Sequence, residues 1–317
     1  MDNMNSIWLV GAGKMAQDYI RVLDGLGRRY TVIGRGEKSA QACQAATGCE
    51  VRVGGLNVFL CETPTICSHA IVSVGVEKLY ETTQQLITYG VKNILVEKPG
   101  ALRIGEFESL ARAASEYNAN VYIAYNRRFY ASVLKAQELI EGEGGVISFN
   151  FEFTEWSHLI EPLEKESCVK ERWFLANSTH VVDLSFYLGG RPEKLFAFTA
   201  GKLDWHPTSS VFSGAGISRS GSLFSYQANW ESAGRWSLEI MTRAHRLVLT
   251  PLEKLQIQKI GTIKLENVEI DDSLDVQYKP GLYIQTQSFL EYNTHRFCSI
   301  QEQLEMVDTY NEIANYR

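Results

Sequence analysis

Three short stretches of this chain bring together residue types that can bind an anion or act on a polar bond. The first is Gly11-Ala12-Gly13-Lys14-Met15-Ala16, which follows the apolar run Ile7-Trp8-Leu9-Val10. A strand that feeds a glycine turn and then a helix offers unpaired N–H groups and a positive dipole end to a phosphate. Gly11 would permit the tight turn, Gly13 would let the backbone approach a pyrophosphate, and Ala16 is small enough for close helix-on-strand packing. Lys14 and Met15 stand at the start of that helix, next to the anion. The second stretch is Glu97-Lys98-Pro99, behind Asn93-Ile94-Leu95-Val96. It ends a buried strand in a carboxylate and an ammonium, at the sheet edge where open α/β sheets bind ligands. The proline restrains the Lys98 backbone to an extended form and helps aim its side chain. The third is Gly34-Arg35-Gly36 after the strand Tyr30-Thr31-Val32-Ile33. An NAD site usually places an acid here for the ribose 2′-hydroxyl; an arginine instead can fork onto a 2′-phosphate, which favours NADP over NAD. Each stretch also has an ordinary reading: a plain turn, an exposed charge pair, a solvated loop arginine with Glu37 left as ribose partner.

Composition narrows the partners. The 317 residues are 45% hydrophobic and 21% charged, with a net charge of −6. That length suits two domains. The acidic balance and the lack of a dense Lys/Arg cluster speak against nucleic acid or an anionic membrane surface, so the expected partner is a small molecule. No signal-peptide pattern or membrane-length apolar run is present, and the six cysteines form no C-x-x-C pair, so free thiols in a reducing cytoplasm are expected, with no metal.

The elements that must position these residues fall into two halves. Apolar runs at about 6–10, 30–34, 57–61, 69–74, 93–97 and 121–125 alternate with helical segments, which predicts a doubly wound parallel sheet over residues 1–126. Residues 127–317 read as an α+β domain. A helix reaches about Glu141, and then Ile147, Phe149, Phe151 and Phe153 alternate with polar residues as in a half-buried strand. Similar stretches near 194–201, 221–230, 236–250 and 253–270 predict a mainly antiparallel sheet with one open face, which makes a homo-oligomer, a dimer or tetramer, an expected assembly. A helix is expected from Ser178 to Leu188, and two more near 281–295 and 300–315.

Glu97-Lys98-Pro99 behind Gly-Ala-Gly-Lys-Met-Ala resembles the signature of the glucose-fructose oxidoreductase, inositol dehydrogenase and rhizopine-catabolism family, Gfo/Idh/MocA. Ala124-Tyr125-Asn126-Arg127-Arg128-Phe129 is similar to the segment leaving that family's Rossmann domain, and His180-Val181-Val182-Asp183-Leu184 is similar to its H-x-x-D helix. The resemblance spans essentially the whole chain. It implies an NAD(P)-dependent oxidoreductase that moves a hydride between nicotinamide and a secondary hydroxyl of a sugar, polyol or sugar derivative. By position, Lys98 would stabilise the developing alkoxide and His180 would take or relay its proton, roles that suit an ammonium and an imidazole. His180 is expected in the first turn of its helix, where the dipole would keep it neutral. Asp183 either orients that imidazole or makes a core hydrogen bond. The implied cofactor contacts are Gly11, Gly13, Lys14, Met15, Arg35, Val74, Glu97, Lys98, Pro99 and Asn126; Trp156, Arg172, Trp173 and Asn177 are candidate substrate contacts. Two departures stand out. Ala176 occupies the place of an aspartate the family often has four residues before the histidine, and Val74-Gly75-Val76 replaces a usual Thr-Pro. Ala176 is the feature that favours a competing expectation, a cofactor-binding sensor without catalysis.

Overall fold

The computed structural model describes residues 6–316. It divides into two compact units, one running to Ala124 and taking in Gln277–Glu305, the other comprising Tyr125–Val276 and the chain from Met306.

In the first unit, strands β1 (Ile7–Val10), β2 (Tyr30–Ile33), β3 (Val51–Arg52), β4 (His69–Val72), β5 (Asn93–Val96) and β6 (Asn120–Ile123) pair in parallel in the order β6-β5-β4-β1-β2-β3. Every residue of β1 and β4 is buried, as expected of strands covered on both faces. The order reverses between β1 and β4, so the loops leaving their carboxyl ends diverge and leave a crevice. One expected strand is a helix. The run at 57–61 lies in the helix Gly55–Cys61, and the third strand is the two-residue β3. The reason is spacing: Leu56 and Phe59 face inward three residues apart while Val58 is 52% exposed. Phe59 meets Trp8 of β1 edge-on at 5.0 Å.

The segment Gln277–Glu305, which the sequence pattern placed in the second half, packs with the first unit. Its strand Cys298–Ser299 pairs antiparallel with β6 and extends the sheet to seven strands. Its helix Leu282–Leu290 sends Phe289 against His69 and Tyr122, with centroids at 4.9 and 6.4 Å. Helical periodicity shows that a face is apolar but not which core receives it.

The second unit is built on an eight-stranded sheet. Its strands are β7 (Ser148–Glu152), β8 (Pro192–Ala200), β9 (Val211–Ser218), β10 (Leu223–Asn229), β11 (Ser237–Met241), β12 (His245–Leu249), β13 (Gln256–Lys259) and β14 (Leu265–Asn267), in the order β14-β13-β12-β11-β7-β10-β9-β8. All neighbours are antiparallel except β7 and β10. One face packs under the helix Thr179–Gly189, where Phe186 meets Phe149, Phe151 and Phe224 at 5.2–6.1 Å. The other face is open and carries Phe196, Phe198 and Leu223 at 59–71% exposure. Strand β9 is not legible in the apolar pattern because two of its inward positions are glycines. A Cβ on Gly214 would stand 2.3 Å from the Tyr226 hydroxyl and one on Gly216 2.5 Å from the Phe224 ring, so the neighbouring aromatics fill those places.

The helix of His180 also starts earlier than its sequence suggests. A π-helical turn, Phe174–Ser178, runs directly into Thr179–Gly189. His180 therefore sits inside a continuous helical run rather than at a free N-terminus, and the expected dipole effect on its ring does not apply. Among the described residues no helix is long and apolar enough to cross a membrane.

Candidate functional site

A cleft of about 720 Å³ opens in the first unit, lined by the loops that leave β1, β2 and β4. Gly11 builds its floor. Its φ of +129° is a conformation only glycine adopts easily, and a Cβ there would stand 2.5 Å from the Ser73 carbonyl oxygen. Gly13 serves the opposite purpose. Its backbone is extended (φ −84°) and nothing lies within 4 Å of where a Cβ would be, so the space in front of it is open. Gly13 also precedes the helix Lys14–Gly25, which has no side-chain cap and no acidic residue in its first turn. An uncapped helix start facing open space is an anion site in both its donors and its dipole.

The β2 end of the cleft is basic. Arg35 and Lys38 are exposed on its rim, and among the described residues neither side chain makes a hydrogen bond or ion pair. Lys78, also on the lining, is instead paired with Glu81 at 3.0 Å. Of the cofactor contacts read from the sequence, Gly11, Gly13, Arg35 and Val74 line this cleft and the others do not. Sequence reasoning missed Lys38, Ser39 and Ser73. A lysine three residues past Arg35, on the helix Glu37–Thr47, was the available signal.

The remaining first-unit residues surround the end of β5. Lys98 and Glu97 are half-buried, and the Lys98–Pro99 peptide is cis. Glu97 Oε1 accepts a 2.9 Å hydrogen bond from the Tyr19 hydroxyl. Burial pushes the Glu97 carboxyl up, opposed by the Lys98 cation, the Tyr19 bond and Lys279; burial first, and then the Glu97 contact, holds the Tyr19 phenol well above its usual range. The Pro99 carbonyl accepts from Gln303 Nε2 at 3.1 Å, which ties this turn to the returning segment. Lys14 is exposed, and the Met15 sulfur accepts from Lys279 Nζ at 3.0 Å.

In the second unit, one indole gathers the polar side chains. The Trp236 ring centroid lies 6.0 Å from the His180 ring, 4.6 Å from the Arg127 guanidinium carbon and 4.5 Å from that of Arg235. Arg235 also covers Trp156 at 4.8 Å and pairs with Glu155 Oε2 at 3.0 Å. Glu155, at the end of the chain leaving β7, is 1% exposed, and its Oε1 accepts from Asn177 Nδ2 at 2.9 Å and Ser178 Oγ at 2.7 Å. Burial raises its carboxyl, opposed by Ser178, Arg235 and Asn177. Asn126 is buried on the turn Asn126–Phe129 and accepts from Arg127 Nη1 at 3.4 Å.

Asp183 belongs to the core. Its oxygens accept from Arg128 Nε at 2.8 Å and Nη2 at 2.5 Å, a buried bidentate pair. The candidate substrate contacts separate. Trp156 and Asn177 join the group around Glu155, whereas Trp173 is buried against Trp205 at 6.2 Å and Arg172 stacks 4.5 Å over Tyr316. Arg235 and Trp236, the residues that complete the group, were not read from the sequence as site residues; they follow Gly234 in a loop, and Trp236 stood there only as the start of the alternating stretch at 236–250. Among the described residues no three His, Cys, Asp or Glu side chains gather as metal ligands.

Residues 6–125 match the profile of the Gfo/Idh/MocA oxidoreductase family, NAD-binding Rossmann fold. No curated protein sequence matches the chain. Several solved structures share its fold. A UDP-N-acetylglucosamine 3-dehydrogenase from Acidithiobacillus ferrooxidans is 14% identical, with a TM-score of 0.76 over 99% of this chain and 97% of its own. A levoglucosan dehydrogenase in complex with NADH and levoglucosan is 16% identical, with a TM-score of 0.79 over 98% of this chain and 96% of its own. The WlbA dehydrogenase from Bordetella pertussis, in complex with NADH and UDP-GlcNAcA, is 16% identical, with a TM-score of 0.75 over 99% and 96%. At these identities the likeness is one of fold.

Proposed function

We propose, from the match of residues 6–125 to the Gfo/Idh/MocA oxidoreductase family, NAD-binding Rossmann fold, that the protein transfers a hydride between a nicotinamide cofactor and a secondary hydroxyl of a sugar, polyol or sugar derivative. The observation that carries the reading is the cleft: an uncapped helix start facing open space at Gly13, with the rest of the cleft walled by the loops after β2 and β4. Its volume, about 720 Å³, falls in the range of small-molecule and cofactor sites.

The residues fit the cofactor in a definite order. Gly11, Gly13 and the first helical residues Lys14 and Met15 would take the pyrophosphate. Arg35, with Lys38, would take a 2′-phosphate, so NADP is the preferred form and NAD the second. Val74 would wall the cleft through its backbone, and Glu97, Lys98, Pro99 and Asn126 are assigned to the nicotinamide end by the family resemblance. Bound there, the nicotinamide supplies the hydride acceptor or donor. The chain's own residues do the rest. The Lys98 ammonium stabilises the alkoxide that forms as the hydroxyl proton leaves. His180 accepts that proton, held beside Trp236 and Tyr125. Trp156, Trp236 and Asn177 supply the stacking and amide contacts a sugar ring needs. Ala176 leaves no carboxylate on the helix before His180, and Glu155 places one against Asn177 from the sheet side.

The solved relatives that name sugar substrates support the sugar class for this chain. A homo-oligomer formed through the open sheet face around Phe196, Phe198 and Leu223 goes with this reading, and light scattering measures it directly. The functional test is nicotinamide absorbance with NADP and NAD in parallel across sugars, polyols, sugar acids and nucleotide-sugars. Turnover with at least one of them is expected. Tight cofactor binding with no turnover anywhere in the panel would support the sensor reading that Ala176 favours.

A further inference from the structure

Resting on the reading that the His180 face receives the substrate, we propose that the substrate carries an anionic group, a carboxylate or a phosphoryl, which Arg127 and Arg235 hold beside Trp236. Two adjacent arginines differ in how their charges are met. Arg128 is buried and fully compensated, with a bidentate pair to Asp183 at 2.5 and 2.8 Å and a stack 4.5 Å over Tyr187. Arg127 is half-buried and stacks in the same manner, 4.6 Å over Trp236 and 5.8 Å over Tyr130. Yet its hydrogen bond to a side chain is the 3.4 Å contact to Asn126 Oδ1, and among the described residues no carboxylate lies within ion-pair distance of it. A partly desolvated guanidinium without a counter-ion is unfavourable, and it does not escape by losing its proton.

A second cation sharpens the imbalance. Arg235 lies 4.5 Å from the same indole centroid, so the two guanidiniums are no further apart than those two distances together. The carboxylate at hand, Glu155, gives Oε2 to Arg235 at 3.0 Å and spends Oε1 on Asn177 and Ser178. Tyr130, Glu253 and Glu155 each contribute a favourable field at Arg127, but neither carboxylate makes an ion pair with it, and Glu253 is exposed. Burial works against the Arg127 charge, and the Arg235 charge adds to that. An incoming anion would relieve both, and a planar guanidinium fork is the donor arrangement that best grips a carboxylate or phosphoryl group. Trp236 is also the ring beside His180, at 6.0 Å. An anion held here would thus lie close to the proposed proton acceptor, which places the charge and the reacting hydroxyl on the same small molecule.

The test uses matched pairs and reads binding apart from turnover. Titration calorimetry on the protein loaded with reduced cofactor compares D-glucuronate with D-glucose, D-galacturonate with D-galactose, and D-glucose 6-phosphate with D-glucose. At least one anionic member should bind ten times or more tightly than its neutral partner. A uronate preference identifies a carboxylate, and a phosphate preference a phosphoryl group. Arg127→Gln and Arg235→Gln should each abolish the preference, while Arg127→Lys keeps part of it because the charge remains without the fork. Should Arg127→Gln fail to fold, Arg235→Gln carries the test, since its side chain is 43% exposed. Equal binding of charged and neutral partners, no binding of any anion, or a preference that survives both variants overturns the proposal. Hydride transfer is judged separately: anion preference without turnover upholds this site and discards the oxidoreductase reading, and turnover of neutral sugars alone does the reverse.

Discussion

Asn177 Nδ2 donates to Glu155 Oε1 at 2.9 Å, joining the turn before His180 to the chain that leaves β7. Ser178 donates to the same oxygen at 2.7 Å, and Arg235 holds the other at 3.0 Å. Glu155→Ala would leave these donors without an acceptor and should destabilise the second unit by ~1–3 kcal/mol or more, the cost of a buried group left unsatisfied. Denaturant melts of the variant measure it; a change within error would mean that the network contributes nothing to stability.

The pH dependence of that carboxylate has a definite sign. Burial raises its folded pKa above the ordinary glutamate value of 4.5, despite the opposing donors. Its contribution to stability is therefore full below that value and declines as pH rises through the folded pKa. Glu155→Gln stays neutral throughout. The advantage of wild type over this variant should shrink between pH 4 and pH 7, read as the difference between their unfolding midpoints. An advantage that grows with pH would show that the Arg235 ion pair outweighs the cost of burial.

His206 should set part of the acid limit. Its Nδ1 lies 2.7 Å from the Ser209 carbonyl oxygen and so carries the proton; its Nε2 accepts from the Tyr316 hydroxyl at 2.8 Å. Burial lowers it from 6.5 to about 4. The folded state resists a proton that the unfolded chain takes up, so stability falls as pH drops from 6.5 toward 4, by about 3 kcal/mol in all. His206→Gln should flatten that part of the stability profile. An unchanged profile would mean that other groups govern it.

The two turn glycines separate fold from binding. Gly11→Ala must fit a Cβ 2.5 Å from the Ser73 oxygen at a φ of +129°, and should destabilise the protein measurably. Gly13→Ala meets open space and an ordinary backbone, so it should lose only the small N-cap preference of glycine over alanine and destabilise less than Gly11→Ala, while NAD(P)H affinity, by fluorescence titration, falls at least tenfold. Unchanged affinity in Gly13→Ala would move the pyrophosphate elsewhere. Arg35→Asp in turn should weaken NADPH far more than NADH, by roughly 1.5–3 kcal/mol for a lost charge-assisted contact; equal wild-type affinity for both cofactors would remove the 2′-phosphate role from Arg35.

Legibility in the sequence followed the physical nature of each signal. Gly11, Gly13 and Arg35 were readable because a turn conformation and a missing acid each leave a mark in residue type. The buried strands β1 and β4, and β5 from Ile94 onward, announce themselves as largely apolar runs. Strand β9 was silent because Gly214 and Gly216 cede their space to Tyr226 and Phe224, and the helix at 55–61 passed for a strand because its apolar residues are contiguous. In the group around Trp236, Trp156 and Asn177 stood among the candidates read from the sequence, whereas Arg235 and Trp236 did not, and nothing showed that they meet. Arg127, Glu155, Asn177 and Arg235 are brought together by tertiary packing, and no local period encodes that.

Hydride transfer itself is followed most directly with deuterium. Wild-type protein is given oxidised cofactor and a panel of sugars deuterated at each secondary carbinol carbon, and the label on the nicotinamide ring is read by mass spectrometry. Label should appear with wild type, whereas Lys98→Met should bind cofactor equally well and transfer label about a hundredfold or more slowly, the scale of losing one stabilising donor. No transfer by wild type with any sugar, or equal rates in Lys98→Met, would contradict hydride transfer at Lys98.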